Sequence, residues 1–155
     1  MKFIKIAAIV LILLGANSFF GNKAKLPDYV DDEIALADLP TDRAIKYVKG
    51  TGKPILATFE DPNCPYCASL DEQLYALDNV TIYTFLVPIL SEDSWEKSRR
   101  IWCAAVPLNT WKNWMLKQQE PSDTANCDMS ALNRNIAMLQ RLDASGVPYV
   151  LAVKD

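Results

Sequence analysis

Two cysteines with two residues between them, Cys64-Pro65-Tyr66-Cys67, constrain this chain more than any other feature. They fall where one hydrophobic period ends and another begins. Residues 55–59 are apolar and alternate as a buried strand does, then run into Glu60-Asp61-Pro62-Asn63. Beyond the pair, Leu70, Leu74 and Leu77 recur at helical spacing. Pro65 suits the first turn of that helix, where its missing N–H costs nothing. The pair therefore sits at a strand-to-helix turn, with Cys64 at the helix start and Cys67 one turn in.

That placement has chemical consequences. Disulfide exchange needs a thiolate that attacks and a second thiol near enough to displace the mixed disulfide. Unpaired N–H groups and the helix dipole at an N-terminus can lower a thiol pKa from about 8.5 to roughly 3.5. Cys64 is thus the expected nucleophile and Cys67 the buried resolving thiol, with Asn63, Pro65 and Tyr66 shaping access. Two other readings stand beside this one. A two-residue spacing can be half of a zinc site, but the other cysteines, Cys103 and Cys127, lie far apart and the chain has no histidine. The pair could also be an inert disulfide, although so short a loop makes a poor staple. No metal or cofactor is implied.

The lack of histidine removes hydrolases of the Ser-His and Cys-His kinds. Export follows from the start of the chain: Lys2 and Lys5 precede an apolar run over 6–14, then small residues Gly15 and Ala16. Residues 1–18 read as a signal peptide, or as a membrane anchor if Phe19 and Phe20 lengthen the run. Outside the cytosol disulfides persist, so the four cysteines are read as redox-active or bridged. The net charge of −3 becomes −5 without Lys2 and Lys5, which disfavours nucleic acid as a partner. Residues 19–40 look like a linker, and 41–155 form one domain.

Within that domain, 42–49 are expected as a first helix, with Thr41 as a cap and Gly50 and Gly52 as its end. Gly50-Thr51-Gly52-Lys53-Pro54 superficially resembles a phosphate loop, but Pro54 replaces the Ser or Thr and the glycine spacing is wrong. Residues 80–87 read as a second strand. Helices are expected near 95–104, 111–117 and 129–144, the last capped by Asp128 and stopped by Gly146. A final strand over 149–153 follows Val147-Pro148. The order gives an α/β fold with helices on a central sheet. Cys103 and Cys127 suit a structural bridge worth about 3 kcal/mol, two free buried thiols, or a second redox pair. Pro148 is either an ordinary trans proline opening a strand or a cis proline whose turn leaves neighbouring backbone groups free for a peptide.

Phe59 to Cys67, Ile101-Trp102-Cys103, Asn126-Cys127-Asp128 and Ser145-Gly146-Val147-Pro148 together resemble the catalytic domain of the periplasmic disulfide isomerases DsbC and DsbG. The resemblance covers about 39–155. It implies a thioredoxin-like fold with a helical insertion, a redox pair at Cys64 and Cys67, a structural disulfide between Cys103 and Cys127, and a cis-proline loop at Val147-Pro148 that docks substrate. The implied function is a thiol:disulfide oxidoreductase or isomerase in the periplasm of a Gram-negative bacterium. Disulfide-bearing exported proteins would be its substrates, and a membrane thiol reductase or oxidase its redox partner. The alternative is a membrane-tethered peptide-binding or chaperone module that keeps its cysteines bridged.

Three departures bear on direction. About twenty residues separate the leader from the domain, leaving no room for the family's N-terminal dimerisation domain and favouring plain oxidation or reduction over isomerisation. Val147 stands where the isomerases usually carry Thr. The chain stops at Asp155, so the fold's usual last strand and closing helix are expected to be missing, with an exposed sheet edge in their place. Thioredoxins also bury an acid six residues before the first cysteine; Thr58 stands there. Glu60 and Asp61 are expected to be exposed and hence weak candidates for proton transfer.

Overall fold

A computed structural model describes residues 30–123 and 126–155. The leader at 1–18 and the first half of the linker at 19–40, residues 19–29, lie outside the described residues. Among the described residues, five strands form one mixed sheet, in the order β1-β5-β3-β4-β2: β1 (Asp32–Ala35), β2 (Ile45–Lys49), β3 (Ile55–Glu60), β4 (Val80–Leu86) and β5 (Tyr149–Lys154). β3 runs parallel to β4 and antiparallel to β5, while β2 pairs antiparallel with β4. Every residue of β3 and β4 is buried, as befits central strands covered on both faces.

Among the described residues, four α-helices complete the layers: α1 (Pro65–Tyr75), α2 (Glu92–Trp102), α3 (Pro107–Lys117) and α4 (Ser130–Arg141). The two-residue period of β3 sends Leu56 to one face, where it packs with Leu70 and Leu74 of α1, and Phe59 to the other, where it meets Leu139 of α4. A third cluster, with Ile101, Trp111 and Met115, joins α2 and α3 to Cys64 and Cys67. The expected α/β fold with a helical insertion between the second buried strand and the proline turn is what the chain adopts.

Several local expectations need correction. Residues 42–49 are not helical: one 3-10 turn (Thr41–Arg43) leads into β2. Ile45, Tyr47 and Val48 are β-branched or aromatic, and pairing with β4 rewards that preference over helix. Gly50, at φ 59°, turns β2 into β3, and a Cβ there would collide with the Asp78 carbonyl. Helix α2 starts at Glu92, earlier than the apolar pattern suggested, because the Ser91 hydroxyl accepts the Ser94 N–H at 3.0 Å. Helix α3 starts at Pro107. Helix α4 ends at Arg141, and Asp143 at φ 53° breaks it well before Gly146. Asp128 accepts both the amide and the hydroxyl of Ser130, one residue outside the formal cap.

The edge of β5 is not bare. Part of the supposed linker forms β1, which pairs with it in parallel from Asp32↔Leu151 to Ala35↔Lys154. Asp31 extends the contact: its N–H donates to the Val150 carbonyl at 2.8 Å and its carboxylate accepts the Val150 N–H at 2.7 Å. Lys154 and Glu33 form an ion pair across the same two strands. Pairing satisfies the backbone groups that would otherwise template aggregation.

Candidate active site

Cys64 is the N-cap of α1, with extended φ −89° and ψ 114°, and its Sγ accepts the Cys67 N–H at 3.2 Å. Pro65 holds the first helical position. The sulfur thus takes the acceptor role a Ser or Asp plays at other helix starts, facing the positive end of the helix dipole. Cys64 is only 4% exposed and Cys67 is fully buried, and neither is bridged. A cleft of about 450 Å³ reaches Cys64 between Pro62, Asn63, Pro65, Ala68 and Trp114. Tyr66 projects into solvent beside it, 76% exposed.

The sheet brings the second element in from far along the chain. Because Phe59 pairs with Tyr149, the end of β3 that feeds the cysteine loop lies beside the start of β5. Val147 therefore reaches Cys64, whose Sγ–H donates to the Val147 carbonyl at 3.7 Å. The Val147-Pro148 peptide is cis. Cys103 and Cys127 are joined by a disulfide with a Cα–Cα distance of 5.6 Å, and neither lines the Cys64 cleft.

The helical insertion fixes the cysteine loop. The Trp114 indole N–H of α3 donates to the Pro62 carbonyl at 2.6 Å. The Asn63 amide donates to Asp93 at 2.8 Å and to the Ser94 hydroxyl at 3.2 Å, both on α2. Lys97 bridges the two helices, 4.3 Å above the Trp114 ring and 2.9 Å from Asp93.

The expectation that Glu60 and Asp61 are exposed is wrong: both are fully buried. Asp61 is a knot in the backbone, its carboxylate accepting the N–H groups of Asn63 at 2.8 Å, Ile89 at 2.9 Å and Leu90 at 3.0 Å. Glu60 ends β3 on the face that Leu56 and Thr58 share, toward α1. There it meets Asp71, which is also fully buried and which the sequence reading missed. Burial raises the Glu60 carboxyl to about 8, and the Thr58 and Asp71 side chains pull partly against that rise. Burial, then the charge of Glu60, pushes Asp71 well above the carboxylate range. The Cys67 thiol is pushed strongly up by burial, then by Glu60 and by Cys64. Two signals pointed there: the period-two row Leu56, Thr58, Glu60, and the i,i+4 step from Cys67 to Asp71.

A sheet of this order, with a free thiol pair capping a helix against a proline loop, defines a thioredoxin-like domain. The family model described as a thioredoxin-like domain matches residues 41–155. The chain belongs to that family, among the thiol:disulfide interchange proteins. It is 46% identical over 117 residues to the probable thiol:disulfide interchange protein DsbC of Bordetella pertussis, covering 76% of this chain and 41% of that one. It thus spans about two fifths of the curated relatives it matches. A disulfide interchange protein from Neisseria gonorrhoeae superposes with a TM-score of 0.68 at 32% identity, covering 72% of this chain and 81% of that one. Helicobacter pylori DsbG shares the fold, with a TM-score of 0.56 at 19% identity over 74% of this chain and 57% of that one.

Proposed function

We propose that this domain is a thiol:disulfide oxidoreductase acting on exported proteins in the periplasm, with Cys64 as nucleophile and Cys67 as resolving thiol. The observation that carries the reading is the helix-capping geometry, in which Cys64 Sγ accepts the Cys67 N–H at 3.2 Å and opens onto a cleft. The Cys64 thiolate attacks a substrate disulfide, forming a mixed disulfide and releasing one substrate thiolate. Cys67 then loses its proton, attacks Cys64 Sγ and expels the second substrate sulfur as thiolate. The pair is oxidised by two electrons and the substrate disulfide is reduced; the reverse sequence oxidises a substrate dithiol.

Val147, Pro148, Pro65 and Tyr66 would hold the substrate backbone along the cleft. If the first released substrate thiolate returns to the mixed disulfide at a different sulfur, the same steps amount to isomerisation. A membrane thiol reductase or oxidase would reset the pair.

Insulin reduction with Cys64→Ala and Cys67→Ala tests this. Loss of turnover in both variants, with the mixed disulfide trapped only in Cys67→Ala, is the expected result. Function retained by Cys64→Ala would favour a peptide-binding module instead. Scrambled-ribonuclease refolding separates isomerase from reductase.

A further inference from the structure

The thiol pair and the proline loop do not account for the whole of the cleft beside Cys64, which neither Val147 nor Pro148 lines. Pro62, Pro65, Ala68 and Trp114 give it apolar walls around Cys64. The two polar side chains that line it are engaged elsewhere: the Asn63 amide donates to Asp93 at 2.8 Å, and the Gln118 amide donates to the Trp114 carbonyl at 3.3 Å. Among the described residues, no charged one lines it. A charged side chain entering this space would lose water and gain no ion pair, whereas an apolar one gains by leaving water.

Trp114 is the largest of the wall residues, and it comes from the helical insertion rather than from the sheet. Two contacts fix its ring. The indole N–H donates to the Pro62 carbonyl at 2.6 Å, and the Lys97 ammonium sits 4.3 Å over the ring. Lys97 is held in turn by Asp93 at 2.9 Å and Glu120 at 3.5 Å. Lys97 does not line the cleft, so the cleft meets the part of the ring that Lys97 leaves uncovered. A wall already held in place loses little freedom when a substrate arrives.

We propose that Trp114 is a specificity-determining residue: its ring forms an apolar subsite for the side chain next to the reacting cysteine of the substrate, and selects aromatic and large aliphatic residues there. The inference rests on the reading of Cys64 as the nucleophile. Exchange chemistry fixes the occupant. Once Cys64 Sγ bonds to the substrate sulfur, the substrate cysteine is tethered at the cleft, and the neighbouring residue's Cα lies only about 3.8 Å from the cysteine's own. That neighbour's side chain is the group within reach of Trp114. Because the contact forms as the S–S bond exchanges, it raises the rate of exchange and not only the affinity.

Exchange with symmetrical disulfides of acetyl-Xaa-Cys-amide, where Xaa is Phe, Leu, Ala, Lys or Glu, tests the subsite. The reduced, Cys103–Cys127-bridged protein is mixed with each peptide and quenched in acid, and loss of the dithiol form is followed by mass spectrometry. Each rate is divided by the rate with hydroxyethyl disulfide, which carries no neighbouring side chain, so a general change in Cys64 reactivity cancels. In the wild type, Phe and Leu should exceed Ala roughly tenfold, with Lys and Glu at or below Ala. Trp114→Ala should bring the Phe-to-Ala ratio to within about twofold of one. Trp114→Phe, which keeps a ring and loses the N–H, should retain most of the preference while absolute rates shift with the lost Pro62 contact. Equal normalised rates across the wild-type series overturn the proposal, and so does a preference that Trp114→Ala leaves intact. Should Trp114→Ala fail to fold, Ala68→Leu narrows the same cleft, and an unchanged Phe preference in that variant overturns it as well. Wild-type protein that exchanges with no disulfide, hydroxyethyl disulfide included, refutes the redox pair and this inference together. Normal exchange with hydroxyethyl disulfide and no side-chain preference refutes this inference alone.

Discussion

Removing the Asp61 carboxylate should unlatch the cysteine loop, and the cost can be worked from its contacts. It accepts three backbone N–H groups, from Asn63, Ile89 and Leu90, between 2.8 and 3.0 Å. A buried donor left without a partner costs about 1–3 kcal/mol. Ile89 and Leu90 are 43% and 53% exposed, so water can reach their amides and the low end applies there. Asp61→Ala should therefore lose about 3–5 kcal/mol in total. Asp61→Asn keeps an acceptor for Asn63 but turns an NH2 toward the other two amides, for a loss of about 2–3 kcal/mol. Domains of this size hold about 5–15 kcal/mol, so both variants should fold. Urea unfolding followed by tryptophan fluorescence, with both cysteine pairs oxidised, measures the difference. With m near 1.5 kcal/mol/M, the Ala variant's midpoint should fall by roughly 2–3 M. Because the Cys64 N–H donates to the Asp61 carbonyl at 3.1 Å, loosening the loop should also change the rate at which iodoacetamide alkylates reduced Cys64. A stability loss under about 1 kcal/mol would refute the knot.

Replacing Cys103 and Cys127 with Ala opens a loop closed over a sequence separation of 24 and should cost about 3 kcal/mol in thermal or urea unfolding, while leaving the Ellman reaction of Cys64 in place. Asp31→Ala removes the acceptor of the Val150 amide and should lower stability by about 1 kcal/mol; deleting 30–35 should bare the β5 edge and raise light scattering on warming. Stability should fall as pH rises from about 5 to 8. Glu60 keeps its proton in the folded state up to about 8 but loses it near 4.5 when unfolded, so the folded protein binds more protons across that window. Glu60→Gln should flatten the slope in urea titrations at successive pH values, and an unchanged slope would contradict a buried neutral carboxyl.

The buried strands and the cysteine turn were legible because each carries a local signature, an apolar run and a two-residue cysteine spacing with Pro65; the cis proline at Val147-Pro148 followed only from the family resemblance, because the residues themselves equally suit a trans proline opening a strand. Residues 42–49 misled because capping signals at Thr41 and Gly50 suit a helix, while β4 offers a partner that no local pattern reveals. The strand at 32–35 was hidden by its charge: Asp32 and Glu33 read as linker, yet an edge strand tolerates exposed acids. Glu60 and Asp71 were misjudged or missed because residue type outweighed position. The alternation along β3 puts Glu60 on the face that meets α1, whatever its polarity. The hold of Trp114 and Asn63 on the loop depends on contacts between elements far apart in sequence.

The account stands on Cys64 and Cys67 exchanging electrons with substrate disulfides. Equilibrating the protein in glutathione buffers and quantifying dithiol and disulfide forms by mass spectrometry tests that directly. A reversible two-proton mass change confined to the peptide carrying both residues, with a midpoint between about −200 and −120 mV, is the expected result. A pair that never exchanges with glutathione, or one reduced only below about −300 mV as structural bridges are, would contradict it.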